Sequence, residues 1–208
     1  SSNGVSYWSP VTIVGTAVYP DDIPRITFAL VRGECYILVI GTSNTALYTV
    51  ESSGTSIILT NVSSSVLGLT LSNIVGICGS YNYLCALNAD GTLHWSSTTT
   101  PTDFRPSLVT GAGSTTPTGV FGGYDYAHAT SFGFYLFCFG GVVAAIYTGN
   151  SRYPWKFTPV PSSGTSLSAA IQDVNMRDVL VIDTAYTIYF LSDKNAIPVA
   201  PELSSYLR

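Results

Sequence analysis

An all-β, β-propeller-like fold is what this 208-residue sequence predicts, and three observations predict it. Helical periodicity is almost absent. Runs of five to seven β-branched and aromatic residues are bounded by Gly, Ser, Asn and Asp. The most apolar runs, Tyr36-Ile37-Leu38-Val39, Tyr83-Leu84-Cys85-Ala86, Tyr135-Leu136-Phe137-Cys138 and Leu180-Val181-Ile182-Asp183, begin 47, 52 and 45 residues apart. A period of about 40 to 50 residues, with about four antiparallel strands per unit, is the pattern of propeller blades. A β-sandwich or jelly roll, with viral fibre heads among its forms, is the competing architecture, because it too has short strands with regular turns.

Taken in order, the units are 1–20 (partial), 21–62, 66–120, 121–165 and 166–208. Tyr7-Trp8-Ser9-Pro10 is similar to Leu93-His94-Trp95-Ser96 and reads as the end of an earlier unit. Strands are expected at Ile26–Val31, Cys35–Ile40, Leu47–Val50 and Ser56–Leu59, then at Ile74–Cys78, Tyr83–Leu87 and Thr92–Ser96. The third unit predicts Ala127–Ser131, Phe134–Phe139, Val142–Tyr147 and Lys156–Pro159, and the fourth Ala169–Val174, Val179–Asp183 and Thr187–Leu191. Gly33-Glu34, Tyr81-Asn82, Phe132-Gly133 and Arg177-Asp178 fall at equivalent first turns. Asn88-Ala89-Asp90-Gly91 supplies a second, its Asp-Gly pair suited to positive φ. The connection from Ser97 to Gly123 is the longest and carries Phe104 and Phe121. It is expected to order at a subunit or fibre contact, the competing reading being that Phe104 tucks between two blades of its own chain.

Composition removes several partner classes. Only 10% of residues are charged, while 26 Ser and 24 Thr supply solubility. Eight Lys and Arg, none adjacent to another, build no dense basic patch, so tight nucleic-acid binding is not expected. No apolar run reaches the ~18 to 20 residues of a membrane span. The only Met is Met176, so a processed or excised piece is expected.

No catalytic, cofactor-binding or metal-ligating residue is assigned. His94 and His128 match no zinc spacing and read as packed side chains on strands. Cys35, Cys78, Cys85 and Cys138 lie in apolar runs and read as buried free thiols, although a Cys78–Cys85 disulfide on one hairpin is conceivable. Asp21-Asp22 reads as a solvated turn before Pro24, and Asp173, Asp178 and Asp183 read as turn residues. The stretch from Asn88 to Trp95 resembles the Asp-box hairpin of sialidase-type propellers, a structural element. A propeller glycosidase, the enzyme alternative, would need an arginine cluster and paired acids that the sequence spreads over separate units. Gly149-Asn150-Ser151-Arg152-Tyr153-Pro154-Trp155 is an aromatic turn that either stacks a sugar ring or joins blades with Trp155 in the core.

Trp95-Ser96-Ser97, Pro101-Thr102-Asp103-Phe104, Pro106-Ser107 and Thr110-Gly111-Ala112-Gly113 resemble a stretch of the tail hub or nozzle proteins of short-tailed bacteriophages, also called packaged-DNA stabilisation proteins. Val143 to Asn150, Tyr153-Pro154-Trp155 and Pro201-Glu202-Leu203 are similar to later segments of that family in the same order, over about Ile74 to Arg208. The resemblance implies a β-propeller in a subunit of a hexameric ring of the virion tail. That ring sits below the portal and adaptor, its bore passes the genome without tight binding, and its outside holds spikes or fibres. It implies no enzyme, cofactor or metal, and no ligand residue carries over. A receptor- or carbohydrate-binding viral head is the binding-class alternative.

Overall fold

The computed structural model describes residues 11–18, 23, 25–53, 56–117, 123–161, 166–173, 178–183, 187–192 and 195–199. Tyr7-Trp8-Ser9-Pro10, Asp21-Asp22, Pro24, Phe121, Met176, Arg177 and Pro201-Glu202-Leu203 lie outside the described residues, as does the side chain of Asp173.

The fold is all-β and propeller-like, built from four sheets in chain order. The first holds β2 (Arg25–Val31), β3 (Glu34–Ile40), β4 (Thr45–Ser53) and β5 (Ser56–Asn61) as an antiparallel meander. A short strand absent from the sequence reading, β1 (Val11–Val14), adds to its outer edge parallel to β5. The second sheet is β6 (Ile74–Ser80), β7 (Tyr83–Asn88), β8 (Leu93–Trp95) and β9 (Gly113–Thr115). The third is β10 (Tyr124–Thr130), β11 (Gly133–Cys138), β12 (Gly141–Tyr147) and β13 (Trp155–Pro159). The fourth is β14 (Ser166–Asp173), β15 (Val179–Asp183), β16 (Ile188–Ser192) and β17 (Asn195–Pro198). Strands β2, β6 and β10 are spatial neighbours, and β14 lies beside β10, so successive sheets share an inner edge as blades do.

Three apolar seams hold the blades together. Ala29, Val31, Tyr36, Leu38 and Leu47 of the first meet Ile74, Ile77, Leu84 and Ala86 of the second. Cys78, Cys85, Leu87 and Trp95 meet Ala127, Phe134, Leu136, Val143 and Trp155. Tyr135, Phe137, Val142 and Ala144 meet Val179, Val181 and Leu191. Successive strand residues point to opposite faces, so β7 from Tyr83 to Leu87 and β11 from Gly133 to Cys138, with a seam on each side, are apolar and buried. Each fully buried large side chain contributes on the order of 1.5 to 3 kcal/mol by area.

Register refines the repeat read from sequence. The first turns are Arg32-Gly33, Tyr81-Asn82 and Ser131-Phe132, with Val31↔Glu34, Ser80↔Tyr83 and Thr130↔Gly133 closing them. Two of these lie one residue earlier than expected. Counted from the turn, the equivalent of Tyr36 and Tyr135 is Cys85, two residues beyond Tyr83, and the spacings become 49 and 50 residues. Arg32 (φ 55) and Gly33 (φ 82) both adopt the positive φ of a tight hairpin turn. The Arg32 guanidinium holds that conformation by donating to the carbonyls of Thr98 and Thr99 at 3.2 and 2.8 Å.

The inner edges meet backbone to backbone. A Cβ at Gly79 would overlap the carbonyl oxygen of Leu30, so only glycine allows β6 to lie this close to β2. Buried polar links join neighbouring blades: the Ile77 N–H donates to Thr27 Oγ1 at 3.1 Å between the first and second, and Ser80 Oγ donates to the Gly133 carbonyl at 3.0 Å between the second and third.

The long connection after β8 is organised by backbone hydrogen bonds within itself and to the segment that precedes β6. Leu67 N–H donates to the Thr102 carbonyl and Phe104 N–H to the Leu67 carbonyl, while Ser97 N–H donates to the Asp103 carbonyl. These bonds place Phe104, 2% exposed, in the seam between the first two blades. Of the two readings of Phe104, tucking into its own chain is the one observed, and the ring is not available to a partner. Leu108 and Val109 are the exposed apolar tips of the connection instead.

Candidate functional site

A groove of about 470 Å³ lies between the second and third blades. One wall is Pro106-Ser107-Leu108 and Ala112 to Thr115, ending in β9. The other is Ser151 to Trp155 with Phe157. The second wall is the aromatic turn singled out in the sequence, and local hydrogen bonds explain its shape. Asn150 Oδ1 accepts from the N–H groups of Arg152 and Tyr153 at 2.8 and 3.3 Å, and Thr148 Oγ1 donates to the Tyr153 carbonyl at 2.6 Å. Gly149, at φ 75, permits the reversal.

The two tryptophans at this groove are seam residues, each 6% exposed. Trp155 packs edge-on against Phe134 at 4.8 Å and Tyr83 at 5.8 Å between ring centroids, and Trp95 Nε1 donates to the Gly111 carbonyl at 2.8 Å. Their faces are consumed by packing, so neither offers a stacking platform. The Trp155 indole N–H is buried without a hydrogen-bond partner. The available ring is Tyr153, 64% exposed, with the Arg152 guanidinium carbon 5.5 Å from its centroid. The groove thus presents one open aromatic ring, one cation and the hydroxyls of Ser107, Ser114 and Thr115.

A second hollow, about 400 Å³, runs along the inner edges of the first three blades between β2, β6 and β10. Phe28, Leu30, Ser80, Tyr81, Tyr126 and His128 line it, with no Lys or Arg.

The titratable residues noted in the sequence stay apart. His94 lies on β8 opposite Ala86 and Ser114, whereas His128 lies on β10 opposite Tyr135, one blade away. Burial lowers the affinity of His94 for a proton, and the nearby Asp90 opposes this. Asp90 itself accepts from the Thr92 N–H at 2.8 Å in the Asp-Gly turn, which holds its carboxyl below the usual range. Asp103 is likewise held low by the Arg105 guanidinium, with contacts at 2.9 and 2.8 Å. Cys78 and Cys85 are register partners across β6 and β7, and all four cysteines are free thiols. Burial raises the Cys85 thiol well above its ordinary value, and the Cys78 neighbour adds to this. Among the described residues, no three His, Cys, Asp or Glu side chains gather as a metal site, and no helix is long and apolar enough to cross a membrane.

Sequence reasoning missed Arg25. It donates to the carbonyls of Val75 and Asp125 and pairs with the Asp125 carboxylate, joining three blades. Nothing in its neighbourhood in sequence marks it, because its partners lie 50 and 100 residues away.

No family model matches this sequence, and no curated protein matches it. Among solved structures it is similar to the extracellular domain of a hybrid two-component system from B. thetaiotaomicron, at 12% identity and a TM-score of 0.47, covering 84% of this chain and 24% of that one. It is also similar to PorZ, a surface component of the type-IX secretion system of Porphyromonas gingivalis, at 11% identity and a TM-score of 0.39, covering 86% and 29%. The chain spans less than a third of either structure, and likeness at this level carries nothing about function.

Proposed function

We propose that this chain is a structural, non-enzymatic virion component, a propeller of the tail hub or nozzle ring of a short-tailed bacteriophage. In that role it assembles with other copies of itself, with the adaptor and with spikes or fibres, around a conduit that retains and ejects the genome. The observation that supports this reading is the use made of its cations. Of the five Lys and Arg among the described residues, Arg25 joins three blades, Arg32 fastens a turn to the Thr98–Thr99 carbonyls, Arg105 pairs with Asp103, Arg152 lies over Tyr153 and Lys156 is exposed on β13. Few and scattered cations, with Arg25, Arg32 and Arg105 engaged within the chain, leave few phosphate anchors, as a wall past which DNA must slide requires. Gold-conjugated antibody against the chain, viewed on virions by electron microscopy, should label a ring at the tail vertex. Label on spike tips alone, or retention of the protein on duplex DNA at about 150 mM salt, would overturn the reading.

The groove at Tyr153 favours a second reading, a carbohydrate-binding head, because an exposed ring beside a cation and hydroxyls can stack and hydrogen-bond a sugar. A glycan screen decides between the two. Binding that Tyr153→Ala abolishes, with unfolding unchanged, supports the second; Trp95 and Trp155 variants would report blade packing instead.

A further inference from the structure

The groove walled by β9 and the turn from Ser151 to Trp155 has a charge and hydrogen-bonding character of its own. Among the described residues that line it, Arg152 is the one charged side chain, with no Asp or Glu beside it, in a chain whose formal charge is −4. Arg152 is exposed, and its guanidinium lies over Tyr153 rather than pairing with a carboxylate of the described residues. A guanidinium carries five N–H donors and no acceptor. Those donors are open to a ligand.

The opposite wall is also set to donate. Ser107 Oγ accepts from the N–H groups of Val109 and Thr110, both at 3.3 Å, so the hydroxyl has its own proton left to give. Trp155, which lines the groove, holds a buried indole N–H without an acceptor. Space is set by Gly113, another lining residue: a Cβ there would come within 2.7 Å of the Trp95 ring, so only a residue without a side chain lets β9 lie against that ring.

Donors without acceptors select an acceptor-rich ligand, and a single cation selects a single negative charge. The exposed Tyr153 ring selects a face of C–H groups. A carboxylate pairs bidentately with a guanidinium and brings one charge, whereas a phosphate monoester or a polyanion brings more than this groove balances. We propose that the groove binds an acidic sugar, a uronic or sialic acid residue of a glycan, with its ring against Tyr153 and its carboxylate on Arg152. The proposal rests on the second reading above, in which the groove takes carbohydrate, and adds the charge which that carbohydrate carries.

Paired glycan probes test it. Oligosaccharides of glucuronate, galacturonate and sialic acid are titrated calorimetrically into the full chain beside their carboxyl-reduced forms, which keep the ring and hydroxyls but lose the charge. At least one acidic probe should bind about tenfold to a hundredfold more tightly than its reduced form, the range for a hydrogen bond to a charged group. Arg152→Gln should erase that preference and leave weak binding of both forms, and Tyr153→Ala should weaken both alike. Lys156→Gln, on the other face of β13 from Trp155 and Phe157, should change neither. Melting temperatures should stay the same in all three variants, because these side chains are exposed. Equal binding of acidic and reduced forms overturns the proposal and leaves the carbohydrate reading standing, whereas no binding of any probe overturns both. Inorganic phosphate that binds as tightly as the acidic probes, or a preference that survives Arg152→Gln, also overturns the proposal, since charge alone or another residue is then at work.

Discussion

Arg25 and Asp125, 100 residues apart, form an ion pair at 2.8 Å that ties the first blade to the third across the second. The same guanidinium donates to the Asp125 carbonyl at 2.6 Å and to the Val75 carbonyl at 3.1 Å. Arg25→Ala removes all three contacts and leaves a largely buried carboxylate without its cation. A loss of about 1 to 3 kcal/mol in urea unfolding is expected, larger than for Asp125→Asn, which keeps an acceptor. A loss under about 0.5 kcal/mol would class the pair with exposed surface bridges.

Phe104→Ser empties a fully buried position in the first seam and exchanges a ring for a hydroxyl. The expected loss is about 3 to 5 kcal/mol in denaturant unfolding, the range for a large aromatic removed from a core. Val109→Ser, at the exposed tip of the same connection, should change stability by less than about 0.5 kcal/mol.

Gly79→Ala places a methyl against the Leu30 carbonyl, where neither strand can yield without shifting the inner edge. A loss of about 1 to 3 kcal/mol is expected. Gly33→Ala meets no atom within 4 Å but must hold φ at +82°, so its loss, about 1 kcal/mol, is conformational. The two variants separate close approach from backbone strain, and equal effects would contradict the distinction.

His94 should make the protein less stable on mild acidification. Its proton affinity is lowered in the folded state by burial, so below pH 6.5, its unshifted pKa, the unfolded chain binds the proton more readily and stability falls with pH. His94→Gln should flatten the melting temperature between pH 7 and 5. Asp90 and Asp103, held low, lose their contributions only as pH falls below 3.8. An unchanged slope in His94→Gln would place the acid sensitivity elsewhere.

Thiol labelling of the native protein at pH 8 should modify Cys35 first, because it is only half-buried. Cys85 is fully buried, and burial, followed by the nearby Asp125 charge, pushes the Cys138 thiol up to about 12. Neither should react until the chain unfolds. Fast labelling of more than one thiol would show that the second seam opens in the native state.

Much of the architecture was legible because it is local. Alternation and Gly-bounded apolar runs mark β3, β7, β11 and β15, and the Asp90-Gly91 pair marks its turn by φ alone. The short strands β1 and β9 were not legible. Val11–Val14 is exposed along its length, and Gly113-Ser114-Thr115 has no apolar pattern, so only a neighbour's free edge makes them strands. In the candidate site, the turn from Gly149 to Trp155 stood out by composition, but composition does not say which ring stays open. Trp155 went into the seam and Tyr153 remained outside.

The sequence by itself determined most of the strands, their approximate period and the first turns to within a residue, because side-chain alternation and positive-φ glycines act over a few residues. Only the tertiary structure decided which of two apolar faces is covered. Tyr135 and Leu180 belong to equivalent apolar runs, yet Tyr135 is sealed by the fourth blade and Leu180 is only half-buried. Burial depends on what packs above a residue, and that comes from parts of the chain 50 to 100 residues away. The same reason hid Arg25: an ion pair requires two groups in one place, and folding brings them there.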